Sequence, residues 1–307
     1  MIDDLGFWSA VLAGAIRLAT PIALAALGET IVERSGTINL GIDGMMIAGA
    51  FTAILAAGFG GWGAGLAAAA LVGALFGLVT AASILKGGAN QIVVGIAISL
   101  LAAGTATYFY QFWDSLGLSR SAIDLVPTLS LGAFASLPLV GPILSGQSWI
   151  TWATVALVLL TVLLLRRSRW GLVLKAVGDE PEAAALRGID VNRVKTLALA
   201  IGGALAGLGG AAITVGYLGA YTDGLVAGRG YVALAVVIIG RWSPVGAVAG
   251  ALLFSFFDSL ALQAQGGQFA LPVEAYLALP YLVTLAVLVA TGRGNAAPRS
   301  LGSRAER

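Results

Sequence analysis

The sequence predicts an all-α polytopic membrane protein of about nine transmembrane helices, within a range of eight to ten, one of them a broken or half helix. Three observations carry this reading. Hydrophobic residues make up 59% of the 307-residue chain and charged residues only 10%, where a soluble domain is about half apolar and about a quarter charged. Apolar runs of roughly 20 residues recur along it, each long enough to cross a ~30 Å hydrocarbon core. The 43 glycines suit close helix packing, where lipid gives no hydrophobic drive between helices.

The runs fall near residues 8–30, 38–57, 62–85, 91–112, 149–165, 194–217, 230–241, 244–263 and 275–291. The first contains Pro21, which predicts a kink that neighbouring helices can accommodate. It lacks the basic n-region and small-residue cleavage site of a leader, so it reads as a retained span. The run at 230–241 is too short to cross alone. Half-length segments beside glycine-rich breaks line cavities in transporters. The GxxxG pairs Gly203/Gly207 and Gly246/Gly250 read as packing contacts, and Tyr108, Tyr110 and Trp113 as an interfacial aromatic belt.

Charge sets the orientation. Lys and Arg cluster at Arg166, Arg167, Arg169, Lys175, Arg187, Arg193 and Lys195, and again at Arg293, Arg299, Arg304 and Arg307. Both clusters are expected in the cytoplasm. Threading outward leaves Arg34, Lys86 and Arg241 inside too, with the N-terminus outside and the C-terminus cytoplasmic. One transmembrane domain over residues 1–292 is expected, with a cytoplasmic loop at 166–195 and a disordered basic tail at 293–307. The outer stretch 113–148 is expected to pack against the outer mouth.

The absences narrow the chemistry. The chain has no His and no Cys, which excludes a His general base, a Cys nucleophile and thiolate metal sites. It has no G-x-x-x-x-G-K-[ST] loop, so it does not split ATP in the usual way. An intramembrane enzyme would need a pair such as Ser with Lys, or two Asp, at membrane depth, whereas Asp258 stands alone in its run. No enzymatic role is expected.

Against this apolar background, "KAVGDEPEAAALRGIDVNRVK" (Lys175 to Lys195) is a polar island. Inside it, "DEPEAAALRG" has the parts of a miniature helix. Asp179 or Glu180 can cap it, Pro181 suits its first turn, and Gly188 supplies the stop. Glu182 and Arg187 complement the helix dipole. So short a helix is marginal alone in water, so it needs something to dock against. Its small face (Ala183, Ala184, Ala185) fits a shallow cleft. The plainer reading is a solvated loop that obeys the positive-inside rule.

Residues 171–211, "GLVLKAVGDEPEAAALRGIDVNRVKTLALAIGGALAGLGGA", resemble the cytoplasmic coupling region of permease subunits of ABC importers. The group resembled is the branched-chain amino acid/ribose permease superfamily. "ERSGTINLGIDGMMIAGAF" (Glu33 to Phe51), "AGRGYVALAVVIIGRWSPVGAVAGALLF" (227–254) and, more weakly, "GGANQIVVGIAISLLA" (87–102) are similar to the same group. The nearest likeness is to its nucleoside and simple-sugar importers. The resemblance implies that Gly178, Asp179, Glu180, Pro181, Ala183, Ala184, Leu186 and Gly188 dock into a separate ATPase. It also implies alternating access, a second homologous permease in a heterodimer, an external solute-binding lipoprotein or periplasmic protein, and residence in the bacterial inner membrane. No cofactor is implied for this chain, since the partner ATPase uses the ATP and Mg, and no nucleic acid is expected. Asn39, Asp43 and Asp258 are candidates for the solute pathway, although Asn39 can equally satisfy backbone in a tight bend. The alternatives are an importer permease for branched-chain amino acids and an ion-coupled secondary transporter.

Overall fold

The structure, a computed structural model, describes residues 5–115, 123–129, 140–265, 273–291 and 297–303. It is all-α apart from one two-residue antiparallel pairing of β1 (Thr128–Leu129) with β2 (Gln147–Ser148). Among the described residues, six helices are long and apolar enough to cross a membrane. The polytopic helical fold read from composition is the observed one.

Helix α1 (Leu5–Arg34) runs through the middle of the molecule, and every residue from Thr20 to Glu33 is buried. Pro21 lies inside it without ending it. Helix α2 (Ile42–Ala81), extended by a π-helical turn at Ala82–Lys86, forms a continuous stretch of 45 residues. At about 1.5 Å per residue, that is more than twice the hydrocarbon thickness. It fits because Gly60 and Gly61 leave helical geometry, with Gly61 at φ 72°. The chain doubles back there: a β-carbon on Gly65 would stand 2.7 Å from the Ala53 carbonyl oxygen. The two limbs correspond to the separate apolar runs at 38–57 and 62–85.

Helix α8 (Val191–Ile213) lies against both limbs of α2. The contact is backbone on backbone. A side chain on Gly73 would collide with the Gly203 carbonyl, on Gly77 with that of Leu199, on Gly49 with that of Gly207, and on Gly210 with that of Met46. Only glycine permits this approach. Gly246 and Gly250 play the same part between the next two helices, where they face Gly240 and Val236. Both GxxxG pairs are thus packing contacts, as expected.

Helix α3 (Gln91–Ser115) packs on the first limb of α2, and α5 (Trp149–Arg167) leans on α1 after the one-turn α4 (Val140–Leu144). Two short helices follow, α6 (Arg169–Asp179) and α7 (Pro181–Leu186). Helix α9 (Arg229–Ile239) has only 11 residues, about 16 Å of rise, and is the half helix expected at 230–241. A reversal through Gly240–Ser243 leads into α10 (Pro244–Gln265), and α11 (Val273–Thr291) packs on α10.

Much of the outer stretch 113–148 lies outside the described residues. Its described parts are tied down: Val126 donates to the Val215 carbonyl (2.9 Å) and Gln147 to that of Ala13 (3.1 Å). Arg120, Arg293, Arg304 and Arg307 also lie outside them. The tail departs from the expected disorder at 297–303, where Ala297 and Leu301 pack on the main apolar core and Pro298 and Ser300 are buried. Small polar residues predict disorder only where no partner supplies hydrogen bonds, and here Gly178, Glu180 and Gln91 do.

Candidate functional site

The segment expected to couple to an ATPase begins at Ser168, which caps α6 by accepting from the Gly171 amide (3.0 Å). Pro181 opens α7, as its fixed φ favours. At the far end the Ile189 amide donates to the Ala184 carbonyl (3.1 Å) and the Gly188 amide to that of Ala185 (2.9 Å). Gly188 sits at φ 80°. This is a Schellman stop, and it needs glycine at Gly188. Asp190 then caps α8 through the Arg193 amide (3.0 Å). Glu180 holds the position before α7 but makes no capping bond, and its carboxylate pairs with Arg299 instead (3.0 Å).

Exposure divides the eight expected docking residues. Leu186 is 91% exposed, a large apolar side chain standing clear of the protein. Ala183 is also exposed and Glu180 too. Ala184, by contrast, is 4% exposed: of the three alanines expected to face a cleft, it faces this chain's own interior. Gly178 is buried at the root of the segment, with no room for a side chain beside the Arg34 carbonyl.

That root is a joint between four pieces of chain. The Ser300 amide and hydroxyl both donate to the Gly178 carbonyl (3.0 and 2.7 Å), and the hydroxyl fills the space a β-carbon on Gly36 would need, a residue at φ 83°. Gln91 accepts from the Ile38 amide (2.9 Å) and donates to the Ser303 carbonyl (3.0 Å). The stretch after α1 is thereby strapped to α3, to the coupling segment and to the tail. On its other side, the Glu33 carboxylate accepts from the Trp242 indole, and the Arg34 Nε donates to the Trp242 carbonyl (2.8 Å).

Asn39 is fully buried and its side chain is used within the bend. Its Oδ1 accepts from the Gly41 amide (3.2 Å), and its Nδ2 lies 3.5 Å from the Met45 sulfur. Its own amide donates to Glu29 (3.1 Å). Asp43 accepts from the Gly230 amide (3.0 Å), capping the first turn of α9 from another helix. A β-carbon on Gly230 would strike the Asp43 backbone. Asp258, isolated in sequence, faces Arg229 across 3.8 Å. The structure therefore gathers Asp43, Asp258 and Arg229 around the start of the half helix and leaves Asn39 below as a brace.

Near the same place, the 219–228 loop brings Tyr221 against Phe51 and Tyr110, edge to face at 5.4 and 5.3 Å between ring centres. Thr107 donates to Asp223 (2.9 Å) beside them. Burial, and then the Asp223 carboxylate, push the Tyr221 phenol up to about 12, so it stays neutral and can donate a hydrogen bond. Tyr110 is thus part of an internal cluster, while Tyr108 is 65% exposed. Glu29, Trp242, Tyr221 and Ser300 escaped the sequence reading. A signal existed for Glu29, since an acid deep in a span is costly and marks a site.

Among the described residues, spanning helices fold around a half helix with a polar cluster at its start. Residues 11–290 match the family described as branched-chain amino acid transport system / permease component, and the chain belongs to that family. It is similar to the guanosine ABC transporter permease NupQ of Bacillus subtilis, 31% identical over 98% of each chain. The putative glucose ABC transporter permease TsgC13 of Haloferax volcanii is 32% identical over 92% of each. The nucleoside ABC transporter permease NupC of Lactococcus lactis is 29% identical over 91% of this chain and 90% of its own. No solved structure gives a significant match. The chain is a permease and not an enzyme.

Proposed function

We propose that this chain is one permease subunit of an ATP-driven importer that moves a nucleoside or a simple sugar across a bacterial inner membrane by alternating access. The relatives support the solute class, since their names specify guanosine, nucleosides and glucose. Lactococcus lactis has both NupB and NupC among the similar nucleoside permeases, which favours a pore built from two unlike halves. The remaining partners are a cytoplasmic ATPase, which uses the ATP and Mg, and an external solute-binding protein. The N-terminus lies outside and the C-terminus in the cytoplasm, on the charge argument above.

One observation carries the coupling assignment. A capped helix with an almost fully exposed leucine stands out from a chain that has no nucleotide-binding loop of its own. Gly178, Asp179, Glu180, Pro181, Ala183, Ala184, Leu186 and Gly188 form this element, with Leu186 as its anchor and Ala184 and Gly178 as its internal footing. Asp43 and Asp258, with the Tyr110–Tyr221 cluster, line the solute path.

The test is co-purification of the chain from its native membrane in mild detergent. An ATP-binding cassette protein should arrive in comparable amount and be lost with Leu186→Asp. A wild-type chain that comes alone and still moves solute in vesicles without ATP would overturn the reading.

A further inference from the structure

Where the ends of α1 and α5 meet α6 and the start of α10, Arg34, Arg166 and Lys175 line a cleft of about 220 Å³ together with Ser243 and Pro244. No acid lines it. Arg34 is anchored through its Nε to the Trp242 carbonyl, and neither Arg166 nor Lys175 has an ion-pair partner among the described residues. Three cations thus converge on one cleft whose own lining holds no acid, with the Asp179 carboxylate near Arg34 outside that lining.

Further along the same helices lies an apolar groove of about 240 Å³. Ala19 and Ala23 of α1 floor it, Val155 and Val158 of α5 form one wall, and Val248 and Leu252 of α10 form the other. The groove and the cleft share their walls. Pro244, Val248 and Leu252 follow at four-residue steps on one face of α10. Val158 and Leu165 stand two turns apart on one face of α5. The groove and the cleft are separate cavities in line along these helices, about 6 Å of rise apart on α10 (Val248 to Pro244) and about 16 Å apart on α1 (Ala23 to Arg34). Beside it, α5 turns Leu159, Leu160 and Leu163 outward, each more than half exposed, as a lipid-facing helix does.

An apolar groove in line with a pocket of three cations on the same helices matches the order of parts in a phospholipid, with its tail toward the groove and its phosphate in the pocket. We propose that this crevice seats one anionic phospholipid, with the phosphate on Arg34, Arg166 and Lys175 and one acyl chain along the α5–α10 groove. Basic pockets between spans on the cytoplasmic side suit such head groups. The proposal rests on the membrane fold and not on the identity of the solute or the motor. Its placement also gives it a role. Arg34 holds Trp242 through its side chain and abuts Gly178 through its carbonyl, so the lipid sits against the joint that supports the coupling segment.

The experiment uses purified full-length chain in nanodiscs of phosphatidylcholine with and without phosphatidylglycerol, followed by native mass spectrometry of retained lipid. Wild type should keep one phosphatidylglycerol, preferred several-fold over phosphatidylcholine. The double variant R166Q/K175Q should lose the preference, and V155W, which fills the groove from an exposed position and leaves all three cations, should lose the retained lipid. Equal retention of the two lipids by wild type, or an undiminished preference in R166Q/K175Q, would overturn the proposal. Retention in V155W that inorganic phosphate competes away would mean an anion site without a tail, which also overturns it. So would a crevice that loses its lipid once the second permease is bound.

Discussion

The Trp242 indole donates a hydrogen bond to the Glu33 carboxylate and so joins residues 209 positions apart in the chain. Trp242 and its neighbour Arg241 both adopt left-handed backbone, at φ 55° and 54°, each costing on the order of 1–2 kcal/mol. Strain of this kind persists only where surrounding contacts fix it. Here the indole bond and the Arg34–Trp242 carbonyl bond do so, clamping the α9–α10 reversal onto the end of α1.

Trp242→Phe keeps the ring and removes the donor, leaving Glu33, 3% exposed, without this partner. A loss of about 1–3 kcal/mol is expected for an unsatisfied buried polar group, read from thermal unfolding in detergent. Glu33→Gln retains an acceptor and should lose less. Equal stability of W242F and wild type would show that the clamp does not hold the turn.

Gly73→Val should be among the most damaging single changes at the α2–α8 seam, because the new side chain meets the Gly203 backbone. Overpacking costs about 1–3 kcal/mol even where neighbours can shift, and a carbonyl in a helix shifts little. Gly63→Ala, on the same limb with nothing within 4 Å, should be neutral or slightly stabilising, since alanine favours helix. Unfolding temperature and monodispersity check the pair.

In α7, two adjacent alanines should behave in opposite ways. Ala183→Asp leaves the fold intact and weakens capture of the ATPase. Ala184→Asp puts a charge into a site that is 4% exposed and should reduce the amount of folded chain, whether or not the ATPase is present. Expression level separates the two before any binding assay. If A184D gave normal yield, the inward placement of Ala184 would be wrong.

Arg229 and Asp258 are each about one-fifth exposed and 3.8 Å apart. Either single change, Arg229→Gln or Asp258→Asn, should cost stability, and the double variant less than their sum. The coupling energy should be about 1 kcal/mol, allowing for the distance and partial exposure. A double-mutant cycle on thermal stability measures it, and strictly additive losses would mean that the two charges do not interact.

Ser300→Asp sets a carboxylate against the Gly178 carbonyl and should release the strap at 297–303. Limited proteolysis should then cut there at least several-fold faster than in wild type. An unchanged rate would mean that the tail is held by Gln91 and Leu301 without Ser300.

The architecture was legible because its cause is local: apolar run length names the spans, and a run of 12 residues at 230–241 named the half helix. The short helix α7 was legible for the same reason, since proline, glycine and dipole signals all lie within ten residues. What escaped depends on distant partners. Ala183 and Ala184 look alike in sequence, and only tertiary packing makes one of them internal. Asp258 gained its counter-charge from another helix, and the tail gained acceptors from Gly178 and a donor from Gln91. Asn39 looked equally suited to bind solute or to satisfy a bend, and its Oδ1 accepts from the Gly41 amide within that bend.

The glycine seam between α2 and α8 bears on how the molecule moves. Helices that touch through side chains can slide, because rotamers yield and knobs find new holes. The two limbs of α2 and the helix between them touch through main chain, and a carbonyl wedged against an α-carbon has no alternative seat. These two crossings form a keel, and rocking of the kind proposed would fall to α9, α10 and the loops that hold them.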